Sequence, residues 1–218
     1  GKANAGSAME NTAPQDISRG PKTLRAVTFF DAANGVAVGA QGVILVTRDG
    51  GNNWQAKKSQ SGRSLNAVRF VDARSIVAVG DGGTIIISSD NGNSWQQQNS
   101  GVVVDLYAVA VTDNGQLVIA GDGGCILRAA EIGAPWNGQW VNQKRALHAV
   151  VAVAQTLVAV GAEGSVLRST DNGASWKQLS AGSDATFNAI ARSAAGQLYV
   201  AGDGGAWLES TDGGNSWQ

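Results

Sequence analysis

The chain has 218 residues, 43% of them hydrophobic, and a formal net charge of −1, which excludes the basic surplus on which nucleic-acid binding rests. No apolar run is long enough to span a bilayer. One cysteine, Cys125, excludes an internal disulfide and reads as a buried thiol.

Residues 1–8 are small and polar, lack an apolar centre and precede Met9, the only methionine. Residues 1–12 therefore read as a cloning scar followed by an N-terminal tail, with room for a signal peptide already removed. From residue 13 to residue 218 a single unit repeats five times, and one domain is expected. Its closing peptide is Thr47-Arg-Asp-Gly-Gly-Asn-Asn-Trp54, then Ser88-Ser-Asp-Asn-Gly-Asn-Ser-Trp95, Ser169-Thr-Asp-Asn-Gly-Ala-Ser-Trp176 and Ser210-Thr-Asp-Gly-Gly-Asn-Ser-Trp217. A worn copy, Ala129-Ala-Glu-Ile-Gly-Ala-Pro-Trp136, stands in the middle. The closing tryptophans lie 41, 41, 40 and 41 residues apart, and Leu24, Leu65, Leu106, Leu147 and Phe187 keep the same step, as do Gly39, Gly80, Gly121, Gly161 and Gly202.

Inside each unit the apolar pattern has period two in short β-branched runs bounded by Gly, Asn and Asp. The second unit predicts strands over 65–71, 76–79 and 84–88, with a fourth beginning at Trp95. Four antiparallel strands per unit make a propeller blade, so the fold class is an all-β, five-bladed propeller. Gly80-Asp-Gly-Gly83 and its copies predict a two-residue turn with φ > 0 at Asp81 and Gly82. In the box, Asp49, Asp90, Asp171 and Asp212 can accept backbone N–H groups while Trp54, Trp95, Trp136, Trp176 and Trp217 fill apolar space, a structural clip. Residues 14–20 fall in the register of a fourth strand and the last unit stops one residue after Trp217, so the N-terminal segment is expected to complete blade five and close the ring.

The form Ser/Thr-x-Asp-x-Gly-x-x-Trp, intact four times, resembles the Asp-box, or bacterial neuraminidase repeat. The longer pattern, Leu65-Asn-Ala-Val-Arg-Phe, then Val77-Ala-Val-Gly-Asp-Gly-Gly-Thr-Ile, then the box ending at Trp95, resembles the photosystem II stability and assembly factor family. That resemblance implies a non-enzymatic scaffold that holds a protein or peptide, exported to the periplasm or thylakoid lumen. Family propellers have about seven blades; a natural short relative, a trimmed chain and an engineered ring without a native ligand all remain open.

Asp-boxes also occur in glycosidases, so catalysis is weighed on its own residues. Of thirteen aspartates, four sit in boxes, Asp81, Asp122 and Asp203 in turns, and Asp31, Asp72 and Asp113 at tips after strand one. No carboxyl pair stands out among Asp16, Asp105, Asp184, Glu10, Glu131, Glu163 and Glu209. With His148 the sole histidine and Cys125 the sole thiol, neither a histidine zinc site nor a Cys–His couple has enough members. No enzyme activity, cofactor or metal is expected.

Binding is expected at the channel mouth. The residue after the opening Leu or Phe is Arg25, Asn66, Tyr107, His148 and Asn188 in turn, between neighbours that do not vary. All five hydrogen-bond, which suits a peptide end, a sugar or ordered water. The turn acids Asp81, Asp122, Glu163 and Asp203 form a partial ring on that face. Trp140 can serve strand four of blade three or contact a partner, and Trp207 aligns with Ile86 or Leu127 in strand three and reads as core. The expected protein is a monomer binding a protein or peptide, the alternative being a lectin-like propeller with sugars between blades.

Overall fold

The structure, a computed structural model, describes residues 23–141 and 144–218. Each unit folds as one antiparallel sheet. Blade one holds β1 (Leu24–Phe29), β2 (Gly35–Gly39), β3 (Ile44–Thr47) and β4 (Gln55–Lys57), and blade two holds β5 (Leu65–Phe70), β6 (Ile76–Gly80), β7 (Thr84–Ser88) and β8 (Gln96–Gln98). Blade three is built from β9 (Leu106–Val111), β10 (Leu117–Gly121), β11 (Cys125–Ala129) and β12 (Asn137–Trp140). β13 (Leu147–Val153), β14 (Thr156–Gly161), β15 (Val166–Ser169) and β16 (Lys177–Leu179) form blade four; β17 (Phe187–Arg192), β18 (Leu198–Gly202) and β19 (Trp207–Ser210) form blade five. Strands pair in chain order in every sheet. Gln218 exchanges both backbone hydrogen bonds with Glu209, the start of a fourth pairing on β19. The strand-four role expected of residues 14–20 lies outside the described residues.

Four apolar cores join successive blades. In the first, Val36, Val38, Ile44 and Val46 of blade one meet Leu65, Val68, Ile76, Ala78, Ile86 and Trp95 of blade two. Blades two, three and four thus bury one face forward and one backward. The Cys125 thiol lies in the second core, where burial pushes its pKa up to about 11. The two outermost faces differ: Leu24 is 49% exposed where Leu65, Leu106 and Leu147 are 0% exposed, and Trp207 is 60% exposed. Register places Trp207 in the column of Ile85 and Ile126, one residue before the Ile86/Leu127 column expected for it, and it faces solvent instead of a core.

Three local expectations shift by one position. Strand four begins at Gln96, because Trp95 ends the box with its indole Nε1 donating to Gly92 O at 3.1 Å. The hairpin turn is of the expected kind but displaced: Thr84 N–H bonds Asp81 O, and the left-handed residues are Gly82 (φ 60) and Gly83 (φ 74), not Asp81. Gln41 and Glu163 hold the same left-handed position in blades one and four. Glu163 therefore stands one residue past the Asp81 column, which Ala162 occupies, and leaves the expected acid ring. Among the tips, Asp31 and Asp72 accept backbone N–H groups as expected, while in blade three Thr112 closes the tip with Gln116.

The box is a clip held by one hydroxyl and one carboxylate. Ser88 Oγ donates to Asp90 Oδ1 (2.8 Å) and accepts from Gly92 N (2.8 Å), while Asp90 also accepts Ser94 N (2.9 Å) and Ser94 Oγ (2.6 Å). Blades four and five repeat this set around Asp171 and Asp212, and blade one repeats most of it around Asp49. In blade three Glu131 replaces the aspartate, and the Trp136 indole N–H has no partner among the described residues. Arginines reach across to the next box: Arg48 to Asn91 O, Arg128 to Asn172 O (3.4 Å) and Arg168 to Gly213 O (2.9 Å).

At the inner edge, Gly80 crosses the start of β5 so closely that an added Cβ would overlap Ser64 O, and Gly39 and Gly161 cross their own first strands in the same way. The backbone of Gly80 is extended, so the requirement is for space. Gly80→Ala is expected to cost about 3 kcal/mol or more in urea unfolding. Gly101→Ala, at φ +73 with open space around it, should cost only about 1–2 kcal/mol.

Partial burial raises the pKa of Asp90, but donation from Ser94, Ser88 and Asn93 outweighs it and brings the value down to about 2. The Ser175 and Ser169 donors bring Asp171 down to about 2, and Ser216 and Ser210 lower Asp212 further. A folded pKa below the unfolded value gives stability that is present above the unfolded pKa and lost as pH falls through the folded one. The urea midpoint should therefore hold steady above about pH 5 and fall between about pH 4 and 2, and Asp90→Asn together with Asp171→Asn should flatten that fall.

Candidate functional site

A β-bulge builds the site. In every blade the register between strands one and two slips by one residue immediately after the opening Leu or Phe: Leu65 pairs Gly80 and Ala67 pairs Val79, leaving Asn66 with no cross-strand partner. The same slip isolates Arg25, Tyr107, His148 and Asn188. A bulged residue leaves the alternation of the strand, so its side chain is re-aimed without disturbing the pairing on either side. The preceding N–H-to-carbonyl bond pins each bulge: Ala40 N to Thr23 O, Asp81 N to Ser64 O, Asp122 N to Asp105 O, Ala162 N to Ala146 O and Asp203 N to Thr186 O, all 2.8–3.0 Å.

The five bulge side chains form a row across neighbouring inner strands. Arg25 donates to Asn66 Oδ1 and lies 3.5 Å from Asp81. Asn66 Nδ2 donates to Asp81 Oδ1 (3.0 Å) and, across the blade boundary, to Leu106 O (2.9 Å). Tyr107 and His148 meet edge to face with centroids 5.7 Å apart. His148 Nδ1 lies 3.2 Å from Phe187 O; a carbonyl only accepts, so Nδ1 is the donor and Nε2 is left for a ligand. Asn188 Nδ2 donates to Asp203 Oδ1 at 2.6 Å. The column thus also stitches blade two to blade three and blade four to blade five, a duty its variability did not announce.

The middle of the row is acidic. Burial, then Asp122, Asp105 and Asp81 in that order, raise the Tyr107 pKa and keep its phenol neutral as a donor. Asp105 also accepts Gly82 N at 2.7 Å. Glu163 instead pairs with Arg145 at 2.9 Å, outside the row. Trp140, on β12, is 60% exposed and stands beside the Asp122–Gly124 turn, where a Cβ on Gly123 would lie 3.5 Å from its ring. It takes the strand-four place expected for it, and its ring is exposed. Among the described residues no three His, Cys, Asp or Glu side chains converge as a metal site, and no helix is long and apolar enough to cross a membrane.

No protein-family model matches the chain, and no curated protein matches it. Solved structures match its fold. YCF48 bound to D1 peptide aligns over 90% of this chain and 80% of that one, at 19% identity and a TM-score of 0.59. YCF48 from Cyanidioschyzon merolae aligns over 90% and 84%, at 14% identity and a TM-score of 0.55. The GH74 xyloglucanase from Xanthomonas campestris gives a TM-score of 0.72 at 14% identity over 90% of this chain, but only 37% of its own. The chain is a β-propeller similar in fold to YCF48 and to GH74 enzymes.

Asn66 is the member of the row whose removal should be felt in stability. Asn66→Ala withdraws donors from Asp81 and Leu106 O and is expected to cost about 1–3 kcal/mol in urea unfolding, whereas Asn188→Ala, an exposed position, should stay within about 0.5 kcal/mol.

Proposed function

We propose that the protein is a non-enzymatic propeller that binds an extended peptide across the bulge row. The observation that carries this reading is the row itself: five unlike hydrogen-bonding side chains, re-aimed by the same bulge, on adjacent strands of one face. Unlike side chains at equivalent positions suit one asymmetric ligand better than several identical sugars. The acidic centre around Tyr107 favours a peptide carrying a basic side chain, with Arg25 at one end of the row available to an acidic group. The alignment with YCF48 bound to D1 peptide, over nine-tenths of this chain, supports the peptide reading.

Eight carboxylates already have structural partners. Asp49, Asp90, Asp171 and Asp212 are consumed by boxes, Asp31 and Asp72 by turn tips, Asp105 by Gly82 N, and Glu163 by Arg145. A carbohydrate-binding propeller is the second reading, favoured by the GH74 alignments.

A random peptide library panned on the immobilised protein, beside Arg25→Ala/Tyr107→Phe and Trp140→Ala variants, tests the reading. Enriched peptides should carry Lys or Arg, and the double variant should weaken their binding at least ten-fold, about 1.4 kcal/mol. Peptides bound equally by every variant would move the site off this face.

A further inference from the structure

The sequence holds five Asn-Gly pairs, at Asn34, Asn91, Asn114, Asn137 and Asn172. Glycine has no side chain to shield its backbone nitrogen, so in such a pair that nitrogen can attack the amide carbon of the preceding asparagine when both groups are free. Four of the pairs are held. Gly92 N donates to Ser88 Oγ and Gly173 N to Ser169 Oγ, both at 2.8 Å, inside the boxes. Gly115 N donates to Thr112 O at 2.9 Å, and the Thr112 hydroxyl donates to Asn114 Oδ1. At Asn34 the side chain itself is fixed, its amide donating to both carboxylate oxygens of Asp31 at 3.0 and 2.8 Å.

The fifth pair is open on both counts. β12 is the edge strand of its sheet and pairs with β11. Val141 N donates to Gly124 O at 2.8 Å, and N–H groups alternate in direction along a strand. Gln139 and Asn137 therefore also point theirs at β11, while Gly138 points its own away, at the open outer edge. Asn137 and Gly138 are both exposed, and among the described residues the Asn137 side chain has no hydrogen-bond partner. Asn137 is also the first residue of the strand, so swinging its amide round to the Gly138 nitrogen disturbs only the last rung of the ladder, Arg128–Asn137.

We propose that Asn137–Gly138 is a self-modification site, at which the folded protein deamidates to a mixture of aspartate and isoaspartate. Gly138 N bonds to Asn137 Cγ and gives its proton to water or hydroxide; the side-chain nitrogen takes up a proton and leaves as ammonia, closing a five-membered succinimide. Water then breaks one of the two carbonyl bonds of the imide nitrogen. Cleavage at Cγ gives aspartate at 137, and cleavage at the former backbone carbonyl gives isoaspartate, with one carbon more in the main chain. The surroundings show what that extra carbon disturbs. Arg128, across the ladder from Asn137, donates to Asn172 O (3.4 Å), and Gln139, two residues on and on the same face, donates to Gly173 O (2.5 Å). Both bonds bridge blade three to the box of blade four. A carboxylate at 137 draws Arg128 back toward its own strand, and the longer main chain moves Gln139 off Gly173 O, so isoaspartate loosens this junction. The site stands apart from the bulge row and does not depend on its peptide.

Incubation of the full chain in mildly alkaline buffer, followed by tandem mass spectrometry and isoaspartyl methyltransferase labelling of its peptides, tests the site. In the folded protein Asn137 should deamidate at least about ten-fold faster than Asn34, Asn91, Asn114 and Asn172, each of which must first break native hydrogen bonds, and in urea the five rates should converge. Gly138→Ala, whose methyl group would meet the tip of Leu127 at 3.2 Å, should slow the reaction at Asn137 several-fold in the folded and the unfolded chain alike. The isoaspartyl fraction should unfold at lower urea than the unmodified chain, whereas Asn137→Gln, with a side chain one carbon too long for the five-membered ring, should keep its midpoint through the same incubation. Deamidation of the folded chain at Asn137 no faster than at Asn91 or Asn172, or fastest at Asn34, would overturn the proposal. An unchanged urea midpoint in the isoaspartyl fraction would overturn its effect on the blade junction.

Discussion

A missing side chain at the inner edge of each blade sets the geometry of everything nearer the axis. Where strand two ends, its glycine passes so close to the start of strand one that a methyl group would occupy the place of a carbonyl oxygen in blades one, two and four. The closeness lets the next N–H bond that same carbonyl, in all five blades. That bond draws the residue before strand one into the ladder one position early, and the pairing can resume only if one residue is skipped. The bulge at Arg25, Asn66, Tyr107, His148 and Asn188 is therefore the geometric consequence of the glycine, and the candidate site follows from a packing constraint.

The outer edge is fixed by different means. There the hydroxyl of Ser or Thr and the carboxylate of Asp hold the turn into strand four, and the tryptophan that ends the box lies against the neighbouring core. Blade three does without the carboxylate. Its Glu131 box is worn, and its fourth strand is the longest of the four, pairing from Cys125–Trp140 to Arg128–Asn137. More ladder offsets less clip, and the extra residue brings Trp140 to the surface beside the bulge row.

The repeat made the blades, their strand order and the turn chemistry legible, because period-two runs punctuated by glycine have few other solutions. The bulged column stood out as well, as one varying position between invariant neighbours in a repeat. What it does was not legible: the bulge depends on a contact between Gly80 and Ser64, sixteen residues apart in sequence, that no local pattern encodes. The displaced turn has the same origin in chain geometry, since Asp-Gly and Gly-Gly both satisfy a left-handed pair and only the ladder decides between them. Trp207 departs for a simpler reason: its spacing to the intact box at Ser210 places it with Ile85, whereas its hydrophobic run alone aligns it with Ile86.

The two outermost faces present opposite chemistry from one repeat. Blade one keeps the backward-facing pattern of its siblings, with Leu24, Val27, Phe29 and Leu45 in the columns of Leu65, Val68, Phe70 and Ile86, and Phe29 turned edge-on to Trp54 at 6.0 Å. Its partial exposure leaves apolar area that favours any covering surface, at about 25 cal/mol per Å². Blade five has exchanged aliphatic contact for an aromatic pair tied to Gln197 and Glu209. Covering it with an apolar sheet would desolvate a carboxylate for which no cation stands nearby among the described residues, so the same hydrophobic gain is opposed there and not in blade one.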